Sequence, residues 1–320
     1  MGLHNKTVVS EFILVGLTEN FRLKCILFVT FFFIYLLTLF QNLGLVVLIS
    51  VDRKLHTPMY SFLRHLSFLD VCYSSSIMIR MLKDLASYNT SISVAGCELQ
   101  MLSYIAFGVT ECFLLAAMSY DRYVAICHPL TYLQIMSGRT ILTLLVFSYF
   151  GGLVNAFVET GFSHFHLDFC EERPYIYHYY CDVIAVIQIS CGDTGLNQMV
   201  LFAFAGFTEF SSLLVILVSY MYILVSVLRI RSSQGRRKAF STCTSHLTVV
   251  TIFYGTVMFM YLRPSSDYSP EQGKVISVFF TIVIPFLNPL IYSLRNRDVK
   301  TSAQKMGVSI LKNVRRFGIH

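Results

Sequence analysis

Long apolar stretches separated by short polar segments dominate this chain. Four stretches contain no Asp, Glu, Lys or Arg: 25–51, 140–158, 239–262 and 275–294. Three more contain isolated acidic residues: 65–79 with Asp70, 99–119 with Glu111, and 194–228 with Glu209. A helix needs about 20 apolar residues to cross the hydrocarbon core of a membrane. Only helices and closed barrels satisfy their backbone groups in lipid, and barrel alternation is absent. The pattern therefore predicts an all-α bundle of seven transmembrane helices.

Composition agrees with a membrane protein. Hydrophobic residues make up 55% of the 320 positions and charged residues only 13%, with a mean hydropathy of +0.62. The net charge of +7 is too dispersed for a nucleic-acid-binding domain. Lys and Arg are concentrated near positions 53–54, at 229–238 and in the tail after 294. The positive-inside rule then predicts that these segments are cytoplasmic and that the N-terminus is extracellular.

The predicted spans divide the chain into three parts. These are an extracellular segment 1–24, a seven-helix domain 25–294 and a cytoplasmic tail 295–320. No cleavable signal peptide is visible at the start, so we expect the first span to act as the anchor. Glycosylation is expected at the Asn5 sequon, and the use of the Asn89 sequon stays open. Basic and apolar residues interleave from Lys300 onward, which predicts a short amphipathic helix in contact with membrane lipid at the inner leaflet.

Four of the nine cysteines are expected on the extracellular side. Cys170, Cys181 and Cys191 lie in the longest segment between spans, 161–193, and Cys97 lies at the outer start of the third span. Disulfides form in oxidising surroundings, and four cysteines allow three pairings.

The chain carries several motifs in a fixed order. Residues 118–130 read MSYDRYVAICHPL, which closely resembles the signature of vertebrate odorant receptors in the rhodopsin-like G-protein-coupled class. The other matching segments are LHTPMY at 55–60, Ser219-Tyr220, KAFSTC at 238–243 and NPLIY at 288–292. Gln41 and Ser119 depart from the usual Gly and Ala. The resemblance implies an odorant receptor of the plasma membrane, not an enzyme. It would bind a small, neutral, mostly apolar volatile ligand and activate a stimulatory, olfactory-type G protein to raise cAMP.

The same resemblance implies the disulfides Cys97–Cys181 and Cys170–Cys191. The first would join the third span to the long outer loop, and the second would close that loop on itself.

Charged and aromatic residues lie at the inner boundary of the predicted bundle. Asp121 and Arg122 are adjacent in sequence, and we expect a local pair because an isolated intramembrane charge is expensive. The resemblance implies that Arg122 is released on activation and meets Tyr220 and Tyr292. The G-protein coupling residues it implies are Asp121, Arg122, Tyr123, Tyr220, Asn288, Pro289 and Tyr292.

Proline residues in the seventh span predict a kink. Pro285 and Pro289 remove backbone donors, and we expect Asn288 to satisfy the freed carbonyls. A hinge and a static kink both fit this pattern.

Asp70 and Glu111 are predicted to form one site. Two nearby carboxylates cannot both stay ionised without a cation or a proton between them. The resemblance implies an allosteric sodium ion with Asn42 and Asn288 as further ligands. A protonated, hydrogen-bonded pair without metal fits the sequence equally well. No other cofactor is expected.

The ligand site is expected in the outer half of the bundle. Counting back from Arg122 at 3.6 residues per turn places Tyr104, Ile105, Gly108 and Val109 on one face. The resemblance adds Phe204, Thr208, Tyr254, Val257, Tyr261, Val278 and Thr281. None of these positions is Asp, Glu, Lys or Arg, and burying an unpaired ion costs several kcal/mol. The sequence therefore predicts a neutral ligand.

Other membrane classes are disfavoured. A transporter is expected to show repeated halves with paired broken helices, and neither is visible. An enzyme would need a convergent catalytic motif, and none stands out.

Overall fold

Long helices connected by short segments make up most of the structure. This computed structural model describes residues 9–230, 232–261, 270–295 and 298–307, except the side chains of 238–242, 257, 259–261, 270, 294 and 295. The elements in chain order are β1 (Glu11–Leu14), α1 (Phe21–Val51), a 3₁₀ turn (Arg53–Leu55), α2 (Pro58–Ala86), β2 (Ser91–Ser93), α3 (Val94–Cys127), α4 (Tyr132–Ile135), α5 (Gly138–His166), β3 (Tyr175–Ile176), α6 (Val183–Gln188), α7 (Gly195–Arg229), α8 (Ser233–Tyr261), α9 (Pro270–Val278), a π-helical turn (Phe279–Val283), α10 (Ile284–Arg295) and α11 (298–307).

The predicted seven-helix bundle is confirmed. Its spans are α1, α2, α3, α5, α7, α8 and the continuous stretch α9 to α10. Among the described residues, five of these spans are long and apolar enough to cross a membrane by length and composition alone. α2 and α8 are each 29 residues long but contain several charged residues, such as Arg64, Asp70 and Arg80 in α2. The helices extend beyond the predicted spans because polar end turns continue the same backbone hydrogen bonds.

α3 lies at the centre of the bundle. It packs against α2, α5, α7 and α8. Its contact with α5 is close because Gly152 has no side chain: a Cβ there would lie within 3.0 Å of Thr110 Oγ1 and of the Ala106 carbonyl oxygen. Small residues permit such close approach of helix backbones in membranes.

Polar side chains cap the helices where the sequence changes from loop to apolar span. Asn20 Oδ1 accepts hydrogen bonds from the backbone N–H groups of Arg22 and Leu23 at the start of α1. Ser93 and Ser137 cap α3 and α5 in the same way. These oxygens satisfy donors that the first turn of a helix leaves unpaired.

A small sheet at one end of the bundle qualifies the all-α prediction. Its strand order is β2-β1-β3, with β1 antiparallel to β2 and parallel to β3. We call this end, which also carries both disulfides, the outer end. Phe12 and Leu14 of β1 point into a buried cluster, while their neighbours are half-buried. Strands this short give too weak a period-two pattern to be recognised in the sequence.

The kink in the seventh span has a different partner from the expected one. Pro289 cannot donate to the carbonyl of Pro285, four residues earlier. Asn42 Nδ2 of α1 donates to that carbonyl at 3.0 Å. The prediction that Asn288 does so is wrong, because its amide is turned toward Asp70 and Glu111. The kink therefore ties α10 to α1.

A helix follows the seventh span, as the sequence predicts. Val299 and Met306 of α11 pack on the main core, while Lys300 and Lys305 are exposed. α11 is therefore amphipathic.

Candidate functional site

A cavity of about 100 Å³ lies in the outer half of the bundle. This size is comparable to the ~150 Å³ engineered cavity that binds benzene. The lining residues are Tyr73, Tyr104, Ile105, Gly108, Val109, Cys112, Glu159, Tyr180, Asp182, Val183, Ile184, Leu201, Ala205, Thr208, Glu209, Phe253 and Phe280. Apolar and aromatic walls with a few polar groups are typical of small-molecule sites.

Aromatic rings form one wall of the cavity. The ring of Phe280 packs against Phe253 and Tyr73, with centroids 5.3 and 5.7 Å apart. Tyr104 packs edge-on against Tyr180 at 5.3 Å. Edge-to-face and tilted contacts of this kind are favourable arrangements for pairs of aromatic rings.

The long outer loop covers the cavity. Tyr104 Oη accepts a hydrogen bond from the Val183 backbone N–H at 3.1 Å, and Gln100 Oε1 accepts one from Cys181 N–H at 3.0 Å. The short helix α6 begins there, capped by Asp182. Because α3 satisfies these loop donors, the loop can lie buried over the site.

Both disulfides fix this loop. The structure contains Cys97–Cys181 and Cys170–Cys191, which is the pairing implied by the family resemblance. The first bridge joins the outer end of α3 to the residues that cover the cavity.

Burial shifts the titration of two loop side chains. It lowers the pKa of His178 to about 4, with the positive charge of Lys274 contributing. His178 Nε2 lies 3.2 Å from Ser277 Oγ of α9. Burial raises the pKa of Tyr180 well above its usual value, and the negative charge of Asp182 raises it further. Its hydroxyl stays protonated and donates to Asp182 Oδ2 at 3.3 Å.

The structure brings some predicted ligand residues together and separates others. Tyr104, Ile105, Gly108, Val109 and Thr208 line the cavity. Phe204, Tyr254, Val278 and Thr281 are not among the lining residues. The side chains of Val257 and Tyr261 lie outside the described residues, as does Asn5.

Two of the predicted ligand residues that do not line the cavity have other hydrogen-bond partners. Tyr254 Oη donates to Ser212 Oγ at 2.7 Å, and Thr281 Oγ1 donates to the Ser277 carbonyl at 2.8 Å. Assignment from the resemblance gave their position along the helix but not the direction of the side chain.

Several residues that line the cavity were not predicted from the sequence. The loop residues Tyr180, Asp182, Val183 and Ile184 could not be placed, because a 161–193 segment without helical periodicity has no predictable path. Glu159 follows directly after the predicted span 140–158, yet α5 continues to His166. The carboxyl group of Glu159, one residue beyond an uncharged span, was the sequence signal that could have predicted an acidic residue in the site.

The expectation that no charged side chain lines the site is wrong. Glu159, Asp182 and Glu209 all line the cavity. The composition of the cavity wall therefore does not require a neutral ligand.

A buried polar network lies farther into the bundle. Asn288 Nδ2 donates to Asp70 at 3.0 and 3.2 Å and to Glu111 Oε1 at 3.2 Å. Asn42 Oδ1 has no hydrogen-bond partner among the described residues. The predicted pairing of the two carboxyls therefore exists, and one amide bridges them.

The inner boundary differs from the predicted local pair. Asp121 is fully buried, and its Oδ1 accepts a hydrogen bond from Tyr132 Oη of α4 at 2.8 Å. Within the described part of the chain, Asp121 and Arg122 form no ion pair. Adjacent residues on a helix point about 100° apart, so Asp121 and Arg122 face different directions, and Tyr132 of α4 contacts Asp121. Tyr123 is hydrogen-bonded to His128 at 3.1 Å.

The tyrosines expected to meet Arg122 have other surroundings in this conformation. Tyr220 Oη lies 2.8 Å from His246 Nδ1, and His246 Nε2 lies 3.1 Å from the Leu115 carbonyl oxygen. The Tyr292 hydroxyl is buried without a hydrogen-bond partner among the described residues.

Seven long helices with a covered cavity at one end and a buried ionisable network define a multi-pass membrane protein with a small-molecule site. The model of the olfactory receptor family matches residues 31–309. The chain belongs to the olfactory receptor family. Members of this family are G-protein-coupled receptors rather than enzymes, and they bind odorants and G proteins.

Curated relatives match nearly the whole chain. Mouse olfactory receptor 5AP2 is 52% identical over 307 residues, covering 95% of this chain and 96% of the relative. Human olfactory receptor 5T3 is 51% identical over 304 residues, covering 95% and 89%. Human olfactory receptor 5AR1 is 48% identical over 306 residues, covering 96% and 98%.

Proposed function

We propose that this receptor binds a small, largely apolar volatile odorant in the outer cavity and activates a stimulatory, olfactory-type G protein to raise cAMP. The observation that supports this most directly is the covered cavity, which lies among the helices of a chain that belongs to the olfactory receptor family. Its size favours a small molecule over a peptide.

The proposed switch is at the inner end. Asp121 accepts a hydrogen bond from Tyr132, so Arg122 is not held in an ion pair with Asp121. On activation Arg122 meets Tyr220 and Tyr292. Tyr220 must then exchange its His246 partner for Arg122, and the buried hydroxyl of Tyr292 gains one.

The sodium proposal concerns the network beneath the cavity. Carboxylate oxygens of Asp70 and Glu111 both lie within hydrogen-bond distance of Asn288 Nδ2, and hard oxygen ligands suit Na⁺. Asn288 would have to present Oδ1 instead of Nδ2. Asn42 has an oxygen without a partner, although its amide nitrogen is occupied by two backbone carbonyls.

The proposed setting is the plasma membrane, with the disulfide end outside and α11 on the inner leaflet. Two disulfides fit an oxidising exterior. Exposed Lys300 and Lys305 on α11 fit the anionic cytoplasmic leaflet.

Arg122→Ala tests the receptor function. We expect ligand-stimulated cAMP to fall at least about 10-fold at equal surface expression, while ligand-induced thermal stabilisation of the purified receptor persists, because binding and coupling are separate equilibria. Arg53→Ala, an exposed arginine in the first inner turn, is the control and should retain the response. Full cAMP output from Arg122→Ala would refute the switch, and an unchanged response in cells lacking stimulatory G proteins would refute the coupling.

A further inference from the structure

The charged side chains that line the outer cavity are acidic. Its lining includes Glu159, Asp182 and Glu209 but no Lys, Arg or His among the described residues. Asp182 is already satisfied: Oδ1 accepts hydrogen bonds from the backbone N–H groups of Ile184 and Ala185, and Oδ2 accepts one from Tyr180. The two glutamates are therefore the acidic groups left to interact with a ligand.

Glu159 is the more deeply buried of the two. Its side chain is on α5, the residue is only 5% exposed, and Oε1 has no hydrogen-bond partner among the described residues. Ser163 Oγ donates a hydrogen bond to the backbone carbonyl of Glu159 and not to its carboxyl group. Burying a carboxylate without a partner is expensive, so this group must hold a proton or face a cation.

Glu209 approaches the same cavity from α7. It is half-buried, and its side chain and that of Glu159 line the same cavity. Two carboxylates in one partly buried cavity resist simultaneous ionisation, so the site favours a single net negative charge. One monovalent cation placed between them would then neutralise the site.

The walls around the pair suit the rest of such a ligand. Tyr104, Tyr180 and Phe253 offer aromatic rings that attract a cation through their faces. Ile105 and Leu201 supply apolar contacts. An organic ammonium ion with a short hydrocarbon body satisfies both kinds of surface, whereas a bare metal ion would leave the apolar wall uncovered.

We infer that the odorant recognised by this cavity is a protonated amine held between the carboxyl groups of Glu159 and Glu209. This inference rests on the proposed receptor function and specifies its ligand class. A carboxylic acid should be excluded, because it would add a second negative charge to an acidic site.

A matched probe set tests the inference: pentylamine, 1-pentanol and pentanoic acid, which share a chain length and differ in the polar group. The purified receptor is heated with each probe, and cAMP is measured in cells expressing equal surface receptor. We expect pentylamine to stabilise and activate the receptor most, and pentanoic acid least. Glu159→Gln and Glu209→Gln keep the shape and remove the charge. Each should shift the amine response to at least about 30-fold higher concentration and change the alcohol response less than about 3-fold.

The control variant is Glu172→Gln, which removes the same charge from an exposed position of the outer loop. It should leave the amine response unchanged. A pentylamine response that is weaker than that to pentanol, or unaffected by both cavity variants, would overturn the inference. Because thermal stabilisation does not involve a G protein, amine binding without cAMP would contradict the proposed coupling instead and leave the ligand class standing.

Discussion

Replacement of Gly152 by Ala should push α3 and α5 apart where they approach closely. A Cβ at this position would lie within 3.0 Å of Thr110 Oγ1 and of the Ala106 carbonyl oxygen, and 3.2 Å from the Thr110 nitrogen. The threonine hydroxyl can rotate away. The carbonyl and the nitrogen belong to the α3 backbone, so they cannot move without the helix.

The size of the effect follows from this geometry. Ordinary contact begins near 3.4 Å, so α3 and α5 must move apart by at least 0.4 Å at their closest point. Overpacking of this kind typically costs about 1–3 kcal/mol. Since about 1.4 kcal/mol changes an equilibrium constant tenfold, a loss near 2 kcal/mol would reduce the folded-to-unfolded ratio roughly 30-fold.

The assay is surface expression by flow cytometry together with thermal unfolding of the purified receptor. We expect Gly152→Ala to lower the unfolding temperature by several degrees and to reduce surface expression. Gly161→Ala is the matched control on the same helix, since a Cβ there meets nothing within 4 Å. Alanine is also the better helix former, so the control should be as stable as the parent or more so.

Two results would refute the reasoning. One is a Gly152→Ala receptor as stable as Gly161→Ala. The other is full rescue of Gly152→Ala by Thr110→Ala, because that would assign the clash to the hydroxyl and leave the backbone contact without effect.

Three further predictions concern the loop and the kink. The pKa of His178 is lowered to about 4 in the folded loop, so the unfolded state binds its proton first as pH falls below about 6.5. Thermal stability should decrease between pH 6.5 and 4, and a pH titration of unfolding should show a shallower slope for His178→Gln. Asn42→Ala leaves the Pro285 carbonyl without its donor and should cost about 1–3 kcal/mol in thermal unfolding, with Asn42→Asp, which also lacks the amide donor, no better. Cys170→Ser with Cys191→Ser opens a bridge between residues 21 apart and should lower stability by about 2–4 kcal/mol, whereas unchanged melting would mean the loop is held without it.

Sequence alone determined the architecture and the family. Apolar stretches of about 20 residues allow little in a membrane except helices, so the seven spans could be located from composition and length. The motif at 118–130 and its companions identified the family independently. The amphipathic helix at 298–307 was also predictable, because its pattern is local along the chain.

Tertiary structure decided which side chains meet. The family resemblance placed Tyr254 and Phe204 in the ligand site, but the Tyr254 hydroxyl is hydrogen-bonded to Ser212 and Phe204 does not line the cavity. Tyr132 reaches Asp121, and Asn42 reaches the Pro285 carbonyl 243 residues away. Such partners depend on how helices rotate and pack, which the sequence of one helix does not contain.

The packing of helices also explains why the acidic character of the cavity was not predicted. Glu159 ends an uncharged stretch in the sequence, and only the packing of α5 against α3 and α7 brings it into the cavity with Glu209. The path of the outer loop, which supplies Asp182, is fixed by a disulfide to α3 and by strand pairing with β1. Local pattern fixes the helices because their hydrogen bonds are local, and the charge of the cavity follows from contacts between residues far apart in the chain.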